Sequence, residues 1–191
     1  MMYNYKEISN MKKLFGILAL SLSSSVFAAN FVSVDTEQVK GMKGGSDSVA
    51  TYVRAGKDVG QFRLGLQSRT AKFDNGNVIN SLETTAGIGI GFLQPYVGVG
   101  HDFGGNGFGS FNYGLVGIQA GTKLGPGFAL AGVKTRVRAD DNDPNQTITY
   151  ATYSLPVTKQ FSVNVNASRS TQTINERAVG VGLTFNYWLA K

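Results

Sequence analysis

Apolar and polar residues alternate one by one along most of the chain from residue 31 onward, with no sustained helical repeat. Alternation with a period of two is typical of β-strands whose two faces meet different surroundings. The last segment is the clearest example. One face carries Val179, Val181, Leu183, Phe185, Tyr187 and Leu189, and the other carries Ala178, Gly180, Gly182, Thr184, Asn186 and Trp188. The pattern predicts an all-β protein.

Turn signals divide this alternating sequence into ten predicted strands. They cover about residues 31–42, 48–57, 61–73, 79–92, 95–103, 111–124, 128–139, 147–156, 161–171 and 177–189. Tight turns at residues 57–61, 93–95, 125–127 and 157–160 alternate with longer, more polar loops. This order predicts an up-and-down antiparallel barrel with short turns at one end and longer loops at the other. Because residues 31–42 alternate poorly, eight strands is the alternative.

The predicted strands are longer than the usual five or six residues, and a tilted strand needs about 9–11 residues to cross a membrane. Aromatic residues near the tight turns and the C-terminus are predicted to line one membrane interface: Phe62, Phe92, Tyr96, Phe128, Phe161, Tyr187 and Trp188. A second predicted ring near the longer loops comprises Phe73, Phe103, Phe108, Phe111, Tyr113 and Tyr150. A soluble barrel is the alternative, but the polar face has few of the Lys and Glu residues that a solvated surface carries.

Residues 11–28 have the order of an export signal. Met11, Lys12 and Lys13 form a positive start, residues 14–22 are apolar, and Val26 and Ala28 stand at the −3 and −1 positions of a cleavage site. A transmembrane helix would need about 20 apolar residues. We therefore expect a signal peptide over residues 1–28, with Met11 as an alternative start, and a barrel over residues 29–191.

Composition excludes several kinds of chemistry. The 191 residues include no Cys, which excludes disulfides, thiolate metal sites and a Cys nucleophile, and a single His argues against a His-rich metal centre. We expect no cofactor and no metal. The formal net charge of +6 is modest, and an exported protein meets little nucleic acid, so no nucleic-acid partner is expected.

The face opposite the lipid is predicted to carry charges into the barrel lumen: Arg54, Arg63, Arg69, Glu83, Asp102, Lys123, Lys134, Arg136 and Arg138, with Asp35 and Glu37 as further candidates. Charges inside a membrane barrel must be paired or hydrated. The first interpretation is an internal salt-bridge network that fills a narrow lumen. The alternative is an electropositive constriction that favours anions.

Three motifs suggest chemistry at first sight, and each has a plainer explanation. His101 and Asp102 form the one His–acid pair, but catalysis needs a nucleophile beside the base, so we expect no enzyme. The glycine-rich residues 104–109 have no following Lys or helix, as a phosphate loop would. Asp140, Asp141 and Asp143 do not follow the calcium-loop spacing.

These features together resemble the small outer-membrane β-barrels of Gram-negative bacteria, of the OmpA/OmpX type. The resemblance covers the whole mature chain and includes the amphipathic C-terminal strand, residues 179–188. Members of that group generally end on an aromatic residue, which the barrel-assembly machinery recognises, whereas this chain continues with Leu189, Ala190 and Lys191. The resemblance implies a fold and a location but no single activity.

The sequence thus predicts a monomeric integral outer-membrane protein with both termini in the periplasm. Its expected partners are outer-membrane lipid, lipopolysaccharide and the barrel-assembly machinery. The predicted function is structural or surface-interacting, with a largely side-chain-filled polar lumen. The alternative function is a narrow porin-like channel for small solutes with a preference for anions.

Overall fold

The computed structural model describes residues 31–41, 46–105, 109–138, 145–171 and 176–186. The strands are β1 (Phe31–Gly41), β2 (Ser48–Val59), β3 (Phe62–Phe73), β4 (Val78–Ile88), β5 (Leu93–Asp102), β6 (Phe111–Leu124), β7 (Gly127–Arg138), β8 (Gln146–Pro156), β9 (Phe161–Thr171) and β10 (Glu176–Asn186). The predicted signal peptide with Met11, the aromatics Phe108, Tyr187 and Trp188, and the acidic Asp140, Asp141 and Asp143 lie outside the described residues.

The strands form one closed antiparallel barrel. Each strand pairs with the next along the chain, and β1 also pairs with β10. The closing seam runs from Phe31 opposite Asn186 to Gly41 opposite Glu176. Closure pairs both edges of every described strand, which a sheet in lipid requires because hydrocarbon offers no hydrogen-bond partner. The prediction of an up-and-down, ten-stranded barrel is confirmed, and the eight-stranded alternative is wrong.

The residues on the inner face of strand β1 explain why its sequence alternates poorly. Its inward positions include Ser33, Asp35 and Glu37, all buried, while Val34 on the outer face is 49% exposed. A strand that buries carboxylates does not show the usual apolar–polar alternation. The pairing of β1 with β10 on one side and β2 on the other therefore identifies it as a strand more clearly than its sequence does.

The outer and inner faces of the wall differ in polarity. Val99, Val179 and Val181, on the outer face, are 63–64% exposed. The inner face is built from small and polar side chains, such as Ala50 and the buried Asn164. A soluble barrel would have the opposite arrangement, whereas an apolar outer band around a polar interior is the pattern of membrane barrels.

The turn between β4 and β5 differs from the prediction. The sequence pattern extends the fourth strand to residue 92 and places the turn at residues 93–95, but β4 ends at Ile88 and β5 begins at Leu93. Gly91 has a φ of +63°, and Ile90 and Leu93 exchange backbone hydrogen bonds of 2.8 and 3.1 Å. Apolar alternation continues through Ile90 and Phe92 into the turn, so the pattern alone did not mark the strand end.

Three predicted interface aromatics lie at the tight-turn end of the barrel. Phe62 begins β3, Phe161 begins β9 and Phe92 lies in the β4–β5 turn, and their exposed fractions range from 47% to 69%. The Phe161 ring packs on Phe185 at a centroid distance of 5.1 Å. These residues are placed where one membrane boundary is expected.

The prediction is wrong for Tyr96 and Phe128, which face the lumen. The Tyr96 hydroxyl hydrogen-bonds to Tyr150 inside the barrel, and the Phe128 ring lies over the inner face of Gly121. Nearness to a turn indicates a residue's height in the wall, but only its strand parity indicates its face. Most of the described second ring is also inside, since these aromatics line the lumen: Phe73, Phe111, Tyr113 and Tyr150.

The ends of the barrel are distinct. Tight turns join β2–β3, β4–β5, β6–β7 and β8–β9, and β1 begins and β10 ends at the same end as these turns. The opposite end carries the longer connections. No helix in the described part of the chain is long and apolar enough to cross a membrane.

Candidate functional site

A cavity of about 1590 Å³ extends through the inside of the barrel. Its lining reaches from Asp58 and Pro126 at the tight-turn end to Asn75 and Ser110 at the loop end. All nine predicted lumen charges lie on its wall, together with Asp35 and Glu37: Arg54, Arg63, Arg69, Glu83, Asp102, Lys123, Lys134, Arg136 and Arg138. Side chains just fill an eight-stranded barrel, and these ten strands leave more space.

Glycines on the inner face make room for long side chains of the adjacent strands. A Cβ on Gly182 would collide with the Asp35 carboxylate, and a Cβ on Gly100 would collide with the Tyr113 ring. The same relation holds for three further pairs: Gly180 with Glu37, Gly117 with Tyr96 and Gly132 with Tyr150. Several of the chain's 25 glycines therefore have a steric role inside the barrel.

Asp35 is the most deeply buried of the described carboxylates, at 1% exposure. It accepts hydrogen bonds from Arg54 Nη1, from Ser33 Oγ at 3.0 Å, and from the Nδ2 atoms of Asn166 and Asn164 at 3.0 and 3.3 Å. Four donors and an opposite charge compensate for the loss of water around a buried carboxylate. This cluster holds β1, β2 and β9 together across the glycines of β10.

Glu83 forms a second ionic cluster that crosses the lumen. Lys134 Nζ lies 2.7 and 3.1 Å from its two carboxylate oxygens, and Arg136 donates from Nη2 at 2.8 Å and from Nε at 3.3 Å. Glu83 belongs to β4 and both cations to β7, with β5 and β6 between them in the wall. The bridge therefore runs in front of two strands and narrows the cavity.

Amide side chains connect the two clusters. Gln67 accepts from Arg54 Nε at 2.8 Å and donates to Glu83 Oε1 at 2.9 Å, while Arg136 Nη1 donates to Gln146 at 3.2 Å. With the Asp35 cluster, and with Thr184 Oγ1 accepting from Asn164 at 2.6 Å, this network joins inward side chains of eight strands: β1, β2, β3, β4, β7, β8, β9 and β10. Such a continuous network fixes the positions of its members more firmly than isolated pairs do.

A second polar layer lies nearer the tight-turn end and is mostly uncharged. The hydroxyls of Tyr96 and Tyr150 are 3.0 Å apart, and Tyr150 donates to Gln119 at 2.8 Å. Gln119 donates to Gln94 at 2.6 Å, and Arg63 Nη1 donates to the same oxygen at 3.4 Å. A solute passing through the lumen would meet this layer and the Glu83 bridge in sequence.

Several guanidinium groups of the lumen are stacked on aromatic rings. The distances from Cζ to ring centroid are 4.4 Å for Arg54 on Tyr52, 5.0 Å for Arg136 on Tyr113 and 3.6 Å for Arg138 on Phe111. Stacking restrains the guanidinium plane while leaving its N–H edges able to donate. These cations are therefore held in place rather than mobile in the lumen.

The sequence pattern identified the charged residues and missed the neutral side chains that connect them: Gln67, Gln94, Gln119, Gln146, Asn164, Asn166, Tyr96 and Tyr150. It also missed Asp58, which pairs with Arg63 at 2.6 Å. Strand parity was an available signal, because most of these residues alternate with outward apolar or small neighbours. The hydrogen-bond partners of these residues, however, could not be identified from strand parity.

The His101–Asp102 pair does not form a joint site. Consecutive strand residues point to opposite faces: His101 Nδ1 lies 2.7 Å from Asn112 Oδ1 on the outer face, while Asp102 lines the lumen. Asp102 accepts a hydrogen bond from the Gly104 amide at 3.2 Å. Among the described residues, no group of three or more His, Cys, Asp or Glu side chains could hold a metal ion.

Comparison with known proteins finds similarity in fold. No protein-family model matches the sequence, and neither does any curated protein sequence. The translocator domain of the autotransporter NalP from Neisseria meningitidis is 12% identical, with a TM-score of 0.50 over 95% of this chain and 98% of that chain. Neisserial surface protein A is 12% identical, with a TM-score of 0.44 over 82% of this chain and 96% of that chain. The KdgM porin, solved with disordered oligogalacturonate, is 10% identical, with a TM-score of 0.47 over 82% and 99% of the two chains.

A closed antiparallel barrel with an apolar outer band and a polar interior defines the class of transmembrane β-barrels. Within that class, the chain has the fold of the small outer-membrane β-barrels. The resemblance stated from the sequence is confirmed at this level.

Proposed function

We propose that this protein is an integral outer-membrane barrel whose hydrated lumen passes small solutes, with a preference for anions, and that it is not an enzyme. The observation that carries the proposal is the cavity of about 1590 Å³, which reaches residues at both ends of the barrel. In this proposal the Glu83 bridge is the constriction. The alternative weighed from the sequence thus has more support than a lumen filled by side chains.

The charge of the cavity wall supports the anion preference. The described lining carries seven basic residues: Arg54, Arg63, Arg69, Lys123, Lys134, Arg136 and Arg138. It carries five acidic ones: Asp35, Glu37, Asp58, Glu83 and Asp102. A narrow polar pore with an excess of fixed positive charge attracts anions and repels cations.

Conductance in a planar bilayer tests the proposal directly. The purified barrel, shown to be folded by a gel mobility that changes on boiling, is expected to give small discrete steps. Under a salt gradient, the reversal potential should have the sign expected of a pore that passes anions more readily than cations. A folded preparation that gives no steps would exclude a conducting lumen.

Lys123 provides a test of the selectivity. It lines the lumen near the tight-turn end, so Lys123→Glu should abolish most of the anion preference by removing the excess positive charge. Lys57 lies near the same end but on the outer face and is exposed, so Lys57→Glu is the matched control. An equal shift of the reversal potential in both variants would show that the selectivity does not arise inside the barrel.

A structural or surface-interacting barrel is the second candidate, and one observation favours it. The network around Asp35 and Glu83 joins eight strands across the interior, as expected of a barrel whose polar interior serves stability. The two functions are distinguished by the bilayer experiment. A folded barrel without conductance would support the second.

A further inference from the structure

Four inward aromatic side chains lie directly on glycines of the neighbouring strand. A Cβ on any of these glycines would collide with the far end of the ring, at its Cζ atom. Each ring therefore extends along the wall of the lumen instead of across it. The pairs are Phe31 over Gly56, Tyr96 over Gly117, Phe128 over Gly121 and Tyr150 over Gly132.

Together these rings form an aromatic chamber, defined by Phe31, Tyr96, Phe128 and Tyr150. On β5, Tyr96 is four residues nearer the tight-turn end than Gly100, which pairs with Glu83. On β7, Phe128 precedes Lys134 of the bridge, and Phe31 begins β1. All four rings line the cavity, and the inward Phe128 is 47% exposed. The chamber therefore lies between the Glu83 bridge and the tight turns, where a solute in the lumen can contact its rings.

The polar groups around these rings are mostly uncharged. Gln119 donates to Gln94 at 2.6 Å, and Tyr150 donates to Gln119 at 2.8 Å. Arg63, which donates to the same Gln94, has Asp58 as its ion-pair partner. Hydroxyl and amide side chains of β8, β9 and β10 line the same half of the cavity: Ser154, Ser162, Asn164 and Thr184. Hydroxyl and amide groups both donate and accept hydrogen bonds.

We propose that the aromatic chamber binds short linear saccharides. The inference rests on the proposed passage of small solutes through the lumen, and it names one class of solute. A pyranose ring carries C–H groups on its faces and hydroxyls around its rim. The electropositive C–H groups fit the negative faces of aromatic rings. The hydroxyls match side chains that both donate and accept, as the glutamines and serines of this chamber do.

The arrangement of the rings favours a chain of sugar units over a single small solute. Tyr96 lies over Gly117 and Phe128 over Gly121. These glycines are four residues apart on β6, which is roughly 13 Å along the strand and longer than one sugar ring. An aromatic carboxylate would stack equally well but would need a cation for its charge, whereas Arg63 is already paired with Asp58. The uncharged hydrogen-bonding groups therefore fit a saccharide better.

Isothermal titration of the folded barrel with maltotriose tests the inference without relying on conductance. The detergent is lauryldimethylamine oxide, because a detergent with a sugar headgroup would compete for the chamber. The comparison solutes are mannitol, an acyclic polyol without a ring face, and benzoate, an aromatic carboxylate. The wild-type protein should bind maltotriose more tightly than either. Equal binding of mannitol, or tighter binding of benzoate, would overturn the assignment to saccharides.

Phe128 provides the variant that tests the site. F128A removes one stacking face and should weaken maltotriose binding by roughly fivefold or more, whereas F128Y keeps the ring and should retain the binding. The matched control is F161A, because Phe161 is also 47% exposed at the tight-turn end but lies on the outer face. If F128A does not fold, F128L keeps most of the apolar volume and carries the same test. Equal affinities in the Phe128 and Phe161 variants would overturn the site.

The bilayer measurement separates this inference from the proposed function. In a conducting barrel, maltotriose should interrupt the ion current, and F128A should shorten the interruptions. Conductance without saccharide binding would overturn the inference and leave the pore in place. Saccharide binding by a folded barrel that does not conduct would support the chamber and exclude the pore.

Discussion

Replacing Glu83 by glutamine is expected to destabilise the folded barrel by about 3 kcal/mol, near the lower end of the range for breaking a buried ion pair. Glu83 is 3% exposed, and its carboxylate forms ion pairs with both Lys134 and Arg136, whose side chains are 15% exposed. Glutamine retains one acceptor but leaves two adjacent cations without a counter-charge. The partial exposure of both cations moderates the cost because solvent can reach part of each side chain.

Loss of the heat-modifiable band across a urea series would measure this effect. The matched control is Asp58→Asn, because Asp58 bonds Arg63 through both carboxylate oxygens but the two side chains are 44% and 41% exposed. An exposed pair contributes about 1 kcal/mol or less. Equal losses in the two variants would contradict the importance of the cross-lumen bridge.

The double variant E83Q/K134M provides a further test of the same bridge. Removing one of the two cations reduces the uncompensated charge, so the double variant should regain part of the stability lost in Glu83→Gln. Contacting residues are expected to show such non-additive effects, whereas distant ones add. If the bridge is also the constriction of a pore, folded Glu83→Gln barrels should conduct more and favour anions more strongly.

Substituting Gly182 by valine is expected to prevent most protein molecules from folding into the closed barrel. A Cβ at this position would meet the Asp35 carboxylate and would lie 2.8 Å from the Asp35 Cα on the paired strand. A backbone atom cannot rotate away, so β1 and β10 would have to separate at the seam where the barrel closes. Overpacking of this kind costs about 1–3 kcal/mol and occasionally more, and valine adds two methyl groups to the clash.

Gly114→Ala is the matched control for this prediction. Gly114 lies on the outer face of β6, and a Cβ there would have nothing within 4 Å. Alanine in place of a strand glycine should be neutral or stabilise by roughly 0.5–1 kcal/mol. The fraction of protein showing the folded mobility after refolding into detergent measures both. A Gly182→Val barrel as abundant as Gly114→Ala would contradict the close approach of β1 and β10.

The sequence alone determined most of the architecture. A repeat of two residues specifies which face a side chain takes, and turn residues divide the chain, so eight of the ten strands needed only small adjustments at their ends. The predicted end of the tenth strand, residues 187–189, lies outside the described residues. The exception is the end of β4, where apolar residues continue through the turn at Ile90 and Phe92. Parity would also have placed Tyr96 inside, since it alternates with the outward Val97 and Val99.

The candidate site was likewise predicted only in part from the sequence. Alternation placed Glu83, Lys134 and Arg136 on the inner face, but nothing in the sequence connected β4 with β7. The partners of Asp35 are more distant still, since Asn164 and Asn166 lie 129 and 131 residues along the chain. Which inward residues meet depends on the number of strands and on how far each is shifted along its neighbour.

What the sequence determined by itself is therefore local: which segments are strands, which face is apolar, and which residues point inward. The tertiary structure alone decided the pairs of charges that meet, the glycines that underlie them, and whether the interior is filled or open. The physical reason is that period-two alternation acts within one strand. The width of the lumen and the contacts across it appear only when ten tilted strands close at a definite stagger.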